Sequence, residues 1–200
     1  MRKNHVTAVR RGLAIESVDG GPIEDVTIDN ITMRDISNAP IFIRRGNRAR
    51  TPGEPPPGIV RRISISNVVA SGVSGAHGIL ISGIPAFPIE DVRLSNIRVH
   101  YLGGGTKADS ALQPEEKEKD YPEPDMFGRM PSYALFARHV IGLDVRDADF
   151  TFEQPEARPA ITFNDVVRVD MDHVRAQKSG TATRALLPAV HLAKVVKAAF

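Results

Sequence analysis

The sequence predicts an all-β chain, a right-handed parallel β-helix of about five to six coils that forms part of a longer solenoid. Two observations predict it: a string of alternating apolar residues recurs five times, and a second short string precedes every copy. A fixed internal repeat signals a stacked architecture, and period-two alternation places its apolar members on one face of a strand.

The long string begins as GPIEDVTIDNITM from Gly21 and returns as GIVRRISISNVVA from Gly58 and FPIEDVRLSNIRV from Phe87. HVIGLDVRDADF from His139 and NDVVRVDMDHVRA from Asn164 complete the set. Val26, Ile63, Val92, Leu143 and Val169 share one column, and Ile28, Ile65, Leu94, Val145 and Met171 share the next inward one. Asn30, Asn67, Asn96, Asp147 and His173 follow, before the apolar column Ile31, Val68, Ile97, Ala148 and Val174. Asn tolerates the left-handed conformation, and its amide both donates and accepts, so this polar column is expected to form a stacked corner. The short strings are GLAIES at 12, APIFIR at 39, HGILIS at 77, YALFAR at 133 and PAITFN at 159. One coil is therefore a short strand, a turn, the VTIDN-type strand, the Asn corner and a third short strand. Corners at 30, 67, 96, 147 and 173 lie 37, 29, 51 and 26 residues apart, so loops leave an otherwise regular stack.

These spacings divide the chain into a polar N-terminal extension, 1–11, and one β-helix domain, 12–200, with insertions near 46–58 and 103–131. The first insertion is proline-rich and basic. The second is acidic and carries Tyr121 and Phe127, which are expected to be pinned to the coil surface. Eleven polar residues would cap the first coil poorly, so its edge is expected to be unpaired and aggregation-prone. At the other end, Val190, Leu192 and Val195 in PAVHLAKVVKAAF fit a sixth coil, with an amphipathic helix as the alternative.

Composition narrows the function classes. The chain has 42% apolar residues, a net charge of +2, no Cys and no Trp. No apolar run is long enough to span a bilayer, so no membrane partner is expected. Basic clusters at Arg2–Arg11 and Arg44–Arg50 lack interleaved aromatic platforms, which argues against nucleic acid. No clustered acidic residues suggest a calcium site, so no metal is expected.

Three stretches carry a family resemblance: RGLAIESVDGGPIEDVTIDNITMRDISNAPIFIRRGNR, HGILISGIPAFPIEDVRLSNIRVHYLGGGT and EKEKDYPEPDMFGRMPSYALFARHV. From about Arg11 to Ala176 the chain resembles the C-terminal coils of glycoside hydrolase family 28, the polygalacturonases and rhamnogalacturonan-active enzymes. The resemblance implies a pectin-directed, inverting, cofactor-free hydrolase acting on pectic polysaccharide or oligogalacturonide. It also implies an exported parent, although Met1–Gly12 has no apolar signal region.

The family's Asn-Thr-Asp, Asp-Asp and Arg-Ile-Lys segments are absent from this sequence. An inverting mechanism needs two carboxyl groups about 6.5 to 9.5 Å apart. The expectation is a C-terminal segment that is inactive alone. Ala76-His77-Gly78 resembles the family's Gly-His-Gly, which makes His77 the one catalytic candidate; a surface turn histidine is the expected role. Arg44, Arg45 and Arg48 are the candidate substrate-binding residues, since guanidinium forks match galacturonate carboxylates. A plain salt bridge between Arg44 and Glu16, neighbours in the outward column, competes with that role. The alternative function is a non-catalytic carbohydrate-binding or structural β-helix.

Overall fold

The computed structural model describes residues 4–7, 11–50, 52–53, 56–178, 184–186 and 190–200; within 4–7, 184–186 and 190–199 only the backbone is described, Val195 excepted. The strands are β1 (Asn4–Thr7), β2 (Leu13–Ser17), β3 (Ile23–Arg34), β4 (Ile41–Arg45), β5 (Val60–Val73) and β6 (Ile79–Ser82). They continue as β7 (Ile89–Tyr101), β8 (Leu135–Phe152), β9 (Ile161–Asp172), β10 (Arg175–Gln177), β11 (Arg184–Leu186) and β12 (Val190–Ala199).

Parallel pairing stacks these strands into a solenoid of coils with three faces. The first face runs β2-β4-β6-β8-β9, and the second runs β3-β5-β7-β8-β9. The last segments of β3, β5, β7 and β8, with β1 outside and β10 beyond, make the third. The register follows the sequence columns residue for residue: Val26 opposes Ile63, which opposes Val92, then Leu143 and Val169. Long strands cross the corners without a break, because one left-handed residue turns the chain while pairing resumes on the next face.

Two such corner columns run through all five copies among the described residues. Asn30, Asn67, Asn96, Asp147 and His173 all adopt φ of 51° to 60°. Asn96 Nδ2 donates to Asn67 Oδ1 at 2.6 Å, and Asn67 Nδ2 donates to Asp29 Oδ1 at 2.7 Å, so the amides bond up the stack. Asp25, Arg62, Asp91, Gly142 and Arg168, each just ahead of the first inward column, also have φ between 51° and 81°. At Gly142 a Cβ would lie 2.7 Å from Asp91 Oδ1, which suits glycine to that place.

The core fills the inside of the stack. Ile63, Ile65, Val92, Leu94, Leu143, Val145, Val166 and Val169 are fully buried, and each contributes about 1.5–3 kcal/mol relative to exposure. Val26 and Ile28 of the first coil are only half-buried, because their end of the stack has fewer layers over it. Tyr101, Tyr133 and Phe152 meet edge-to-face at 5.9 and 5.3 Å between centroids.

The ends differ from the sequence expectations. The extension is not merely polar tail, since β1 pairs in parallel with Ile31–Arg34 and covers the third face of the first coil. At the far end β12 is neither a sixth parallel coil nor a helix. It runs antiparallel along β9, from Val190 opposite Met171 to Ala199 opposite Thr162. Phe200 then exchanges both backbone hydrogen bonds with Ile161.

The second insertion crosses the outer face of the first sheet as a strap with short 3-10 turns at Asp109–Ala111 and Pro124–Phe127. Phe127 and Met130 pack there on Ala39, Phe42, Leu80 and Phe136, a second apolar cluster outside the coil core. Both faces of β4 and β6 are buried as a result. Phe127 is pinned as expected; Tyr121 is not, being 61% exposed.

Candidate functional site

Three separated segments converge beside the first coil. The end of β2 and the turn after it supply Ser17, Val18, Asp19, Gly21 and Pro22, the first insertion supplies Arg48, and the strap supplies Tyr121 and Pro122. They enclose, with Glu16, an open pocket of roughly 360 Å3. The backbone joins the two insertions directly: Asn47 N–H donates to Glu118 O at 2.7 Å, and Arg48 N–H donates to Val18 O at 2.7 Å.

Arg48 is the pocket's cation. Its guanidinium forks onto the Asp19 carboxylate through Nε and Nη2 and lies 5.3 Å from the centroid of the Tyr121 ring. The hydrogen bond from Arg48 holds the Asp19 carboxyl below its ordinary range. Glu16 behaves oppositely. Burial pushes its carboxyl up, and the Arg11 guanidinium at 2.5 Å only partly offsets that. The pocket thus offers an exposed aromatic ring, a guanidinium, an ionised carboxylate and a carboxyl that protonates more readily than usual.

The other candidate arginines lie elsewhere. Arg44 stands beside Glu16 in register but makes no salt bridge with it; Glu16 bonds Arg11 instead. Arg44 is 1% exposed, and its guanidinium donates to Ser82 Oγ, Ser82 O, Gly83 O, Glu116 O and Lys117 O. Burial and the like charge of Arg138 push its pKa down to about 10, which leaves it charged near neutrality. Arg45 is also buried, donating to Pro88 O and Pro57 O with its guanidinium over Phe87. Of the three, Arg48 lines the pocket.

His77 is not a surface turn residue. It is 4% exposed, neither ring nitrogen has a well-placed hydrogen-bond partner, and burial lowers its pKa despite the attraction of Asp125. The strap covers this place, with Met130 N–H donating to Ala76 O.

Sequence reasoning missed Arg138, His139, Glu156 and Arg158. Arg138 sits in the outward column with Arg44, and both guanidiniums stack on Phe127, at 5.0 and 5.4 Å from its centroid. Arg138 donates to Pro114 O and Glu115 O, so two buried arginines grip the strap by its carbonyls. The available signal was the phenylalanine two residues before each arginine on the same face, Phe42 and Phe136.

A second cavity, of about 420 Å3, follows the charged corner column between Arg62, Asp91, Arg93, Asp144 and Arg168. Its groups are engaged in exposed ion pairs between coils, Arg93 with Asp144 at 3.2 Å and Arg168 with Asp91 at 3.5 Å. Such pairs contribute little individually. Among the described residues no group of three or more His, Asp or Glu is placed to hold a metal ion, and no helix is long and apolar enough to cross a membrane.

No family model matches the chain, and neither a curated protein nor a solved structure is similar to it.

Proposed function

We propose that the chain forms the saccharide-facing coils of a right-handed parallel β-helix of the glycoside hydrolase family 28 type, and that it holds a pectic polysaccharide or oligogalacturonide at the Arg48–Tyr121 pocket. The right hand is the one that parallel crossovers take in nearly all sheets. The observation that carries the ligand class is the convergence of both insertions on one pocket that joins an exposed tyrosine to a guanidinium fork. In solenoids, insertions gather on the binding face.

The role is binding rather than bond cleavage by this chain alone. The resemblance puts the catalytic aspartates in segments that this sequence lacks, and the two pocket carboxyls are tied to arginines, Glu16 to Arg11 and Asp19 to Arg48. Titrating oligogalacturonide into the isotope-labelled chain tests the proposal. Backbone amide shifts are expected at Val18–Gly21, Arg48 and Tyr121, with severalfold weaker binding in Arg48→Ala and Tyr121→Ala variants that remain folded. Shifts confined to other faces, or none at all, would refute it.

A further inference from the structure

The strap is fastened at one point by a histidine whose two nitrogens both face carboxylates. His139 Nδ1 lies 2.6 Å from Asp165 Oδ2 on the next coil, and Nε2 lies 3.0 Å from Glu116 Oε1 on the strap. A neutral imidazole has one N–H and one lone pair, so it satisfies one carboxylate and turns a lone pair toward the other. Only the imidazolium donates to both. We propose that His139 is a protonation-operated clasp that fastens the strap to the coils and thereby sets the position of the Tyr121 lip; the part concerning ligand rests on the saccharide-binding proposal above.

The neighbouring charges single out His139 as the group that switches. On its own strand, Arg138 Nη1 lies 3.4 Å from the same Glu116 oxygen, and on β4 Arg44 grips the Glu116 and Lys117 carbonyls. Both stay charged across the neutral range. On the strap, Lys117 pairs with Glu115 at 2.8 Å and faces Asp120 at 3.8 Å. From β6 and the turn after it, Ser82 and Gly83 face the cluster without a titratable side chain. Asp165 comes from β9. Burial pushes the imidazole pKa down, but the hydrogen bonds to Glu116 and Asp165 outweigh it and raise it above the ordinary 6.5. The Glu116 carboxyl is raised by burial and lowered more by His139 and Arg138, so it stays ionised where His139 titrates.

The fastening reaches the pocket through a short covalent path. Glu118, two residues after Glu116, accepts the Asn47 amide, and Tyr121 and Pro122 follow at the pocket rim. Loss of the His139–Glu116 link leaves the carbonyl contacts of Arg44 and Arg138, the Asn47–Glu118 bond and the Arg11–Pro122 bond in place, and gives the 116–122 segment more freedom.

The test is a pH titration of the full labelled chain between about pH 5.5 and 9, the range in which a histidine switch acts. The His139 ring is expected to titrate above 6.5, and the amides of Asn47 and Glu116–Tyr121 to shift with the same midpoint. Hydrogen exchange of the strap, corrected for intrinsic rates, should rise severalfold above that midpoint. His139→Asn keeps a residue suited to the φ of 48° and should abolish the strap titration; Glu116→Gln should lower the His139 midpoint and serves if the first variant fails to fold. Strap amides that stay flat, or that titrate unchanged in the variants, would overturn the clasp. Oligogalacturonide affinity should weaken severalfold above the midpoint in the wild type alone. Titrating strap amides without uronide binding at any pH would uphold the clasp and sink the ligand proposal, whereas binding with a flat strap would do the reverse.

Discussion

Replacing Glu156 with alanine should destabilise the chain by about 3–5 kcal/mol, the cost of leaving one member of a buried ion pair alone. The Glu156 and Arg158 side chains are both 0% exposed. Glu156 accepts from Arg158 Nη2 at 2.7 Å, from Arg158 Nε at 2.9 Å and from the Gly105 amide at 3.1 Å. Arg158 in turn donates to Gly75 O and Met130 O, so the pair ties the strap to the turns that follow β5 and β8. Without the carboxylate a guanidinium stays buried among neutral carbonyls and the Gly105 N–H loses its acceptor. The loss is a large part of the roughly 5–15 kcal/mol that holds a typical domain together. Asp91→Asn is the internal control, because it removes the charge while keeping a residue that tolerates the φ of 51°, and Asp91 and Arg168 are 58% and 61% exposed and pair at 3.5 Å; its cost should be below about 1 kcal/mol. Urea denaturation followed by far-UV circular dichroism gives both values, with unchanged slope as the sign that stability alone moved. A Glu156→Ala chain within about 1 kcal/mol of wild type, or an equally costly Asp91→Asn, would refute the claim that burial makes this pair matter.

Asn67→Ala should cost about 1–2 kcal/mol, because alanine lacks the short polar side chain that lets Asn tolerate the left-handed corner, and the change cuts the amide ladder; Asn67→Gly should cost less, and the same melts distinguish them. Phe127→Ala removes the ring between Arg44 and Arg138, at a cost of about 3–5 kcal/mol if the strap unfolds with the coils. Hydrogen exchange should show that loss first in the strap. Stability should also depend on pH through His139. Its folded pKa lies above the unfolded value, so the contribution is complete below about 6.5 and disappears as pH rises through the folded pKa. His139→Asn should flatten that decline in urea midpoints.

The coil stack was legible because its signal is periodic: Val26, Ile63, Val92, Leu143 and Val169 repeat one environment, and the structure pairs them in that register. The Asn corner was legible for the same reason. The corner at Asp25, Arg62, Asp91, Gly142 and Arg168 shares a backbone conformation but no side-chain chemistry, so residue types alone concealed it. The roles of Arg44 and Arg138 depend on a strap that arrives from distant sequence, and an outward arginine column looks solvent-facing until that cover is known. The continuous apolar runs APIFIR, HGILIS and YALFAR did hint at strands buried on both faces. His77 followed the same rule, since the strap that buries it is invisible to local pattern. The β12 strand kept an alternating pattern that suits a parallel or an antiparallel partner equally. Arg48, a candidate by residue type, lines the pocket beside Tyr121, Asp19 and Glu16, which come together only through folding.

The measurement that bears most directly on the proposed function is isothermal titration of an oligogalacturonide and of its carboxyl-reduced neutral counterpart into the full chain. The pocket predicts saturable binding of the uronide that weakens with added salt, is lost in Arg48→Ala, and is much weaker for the neutral sugar. Equal binding of both sugars, or uronide binding that survives Arg48→Ala unchanged, would contradict it.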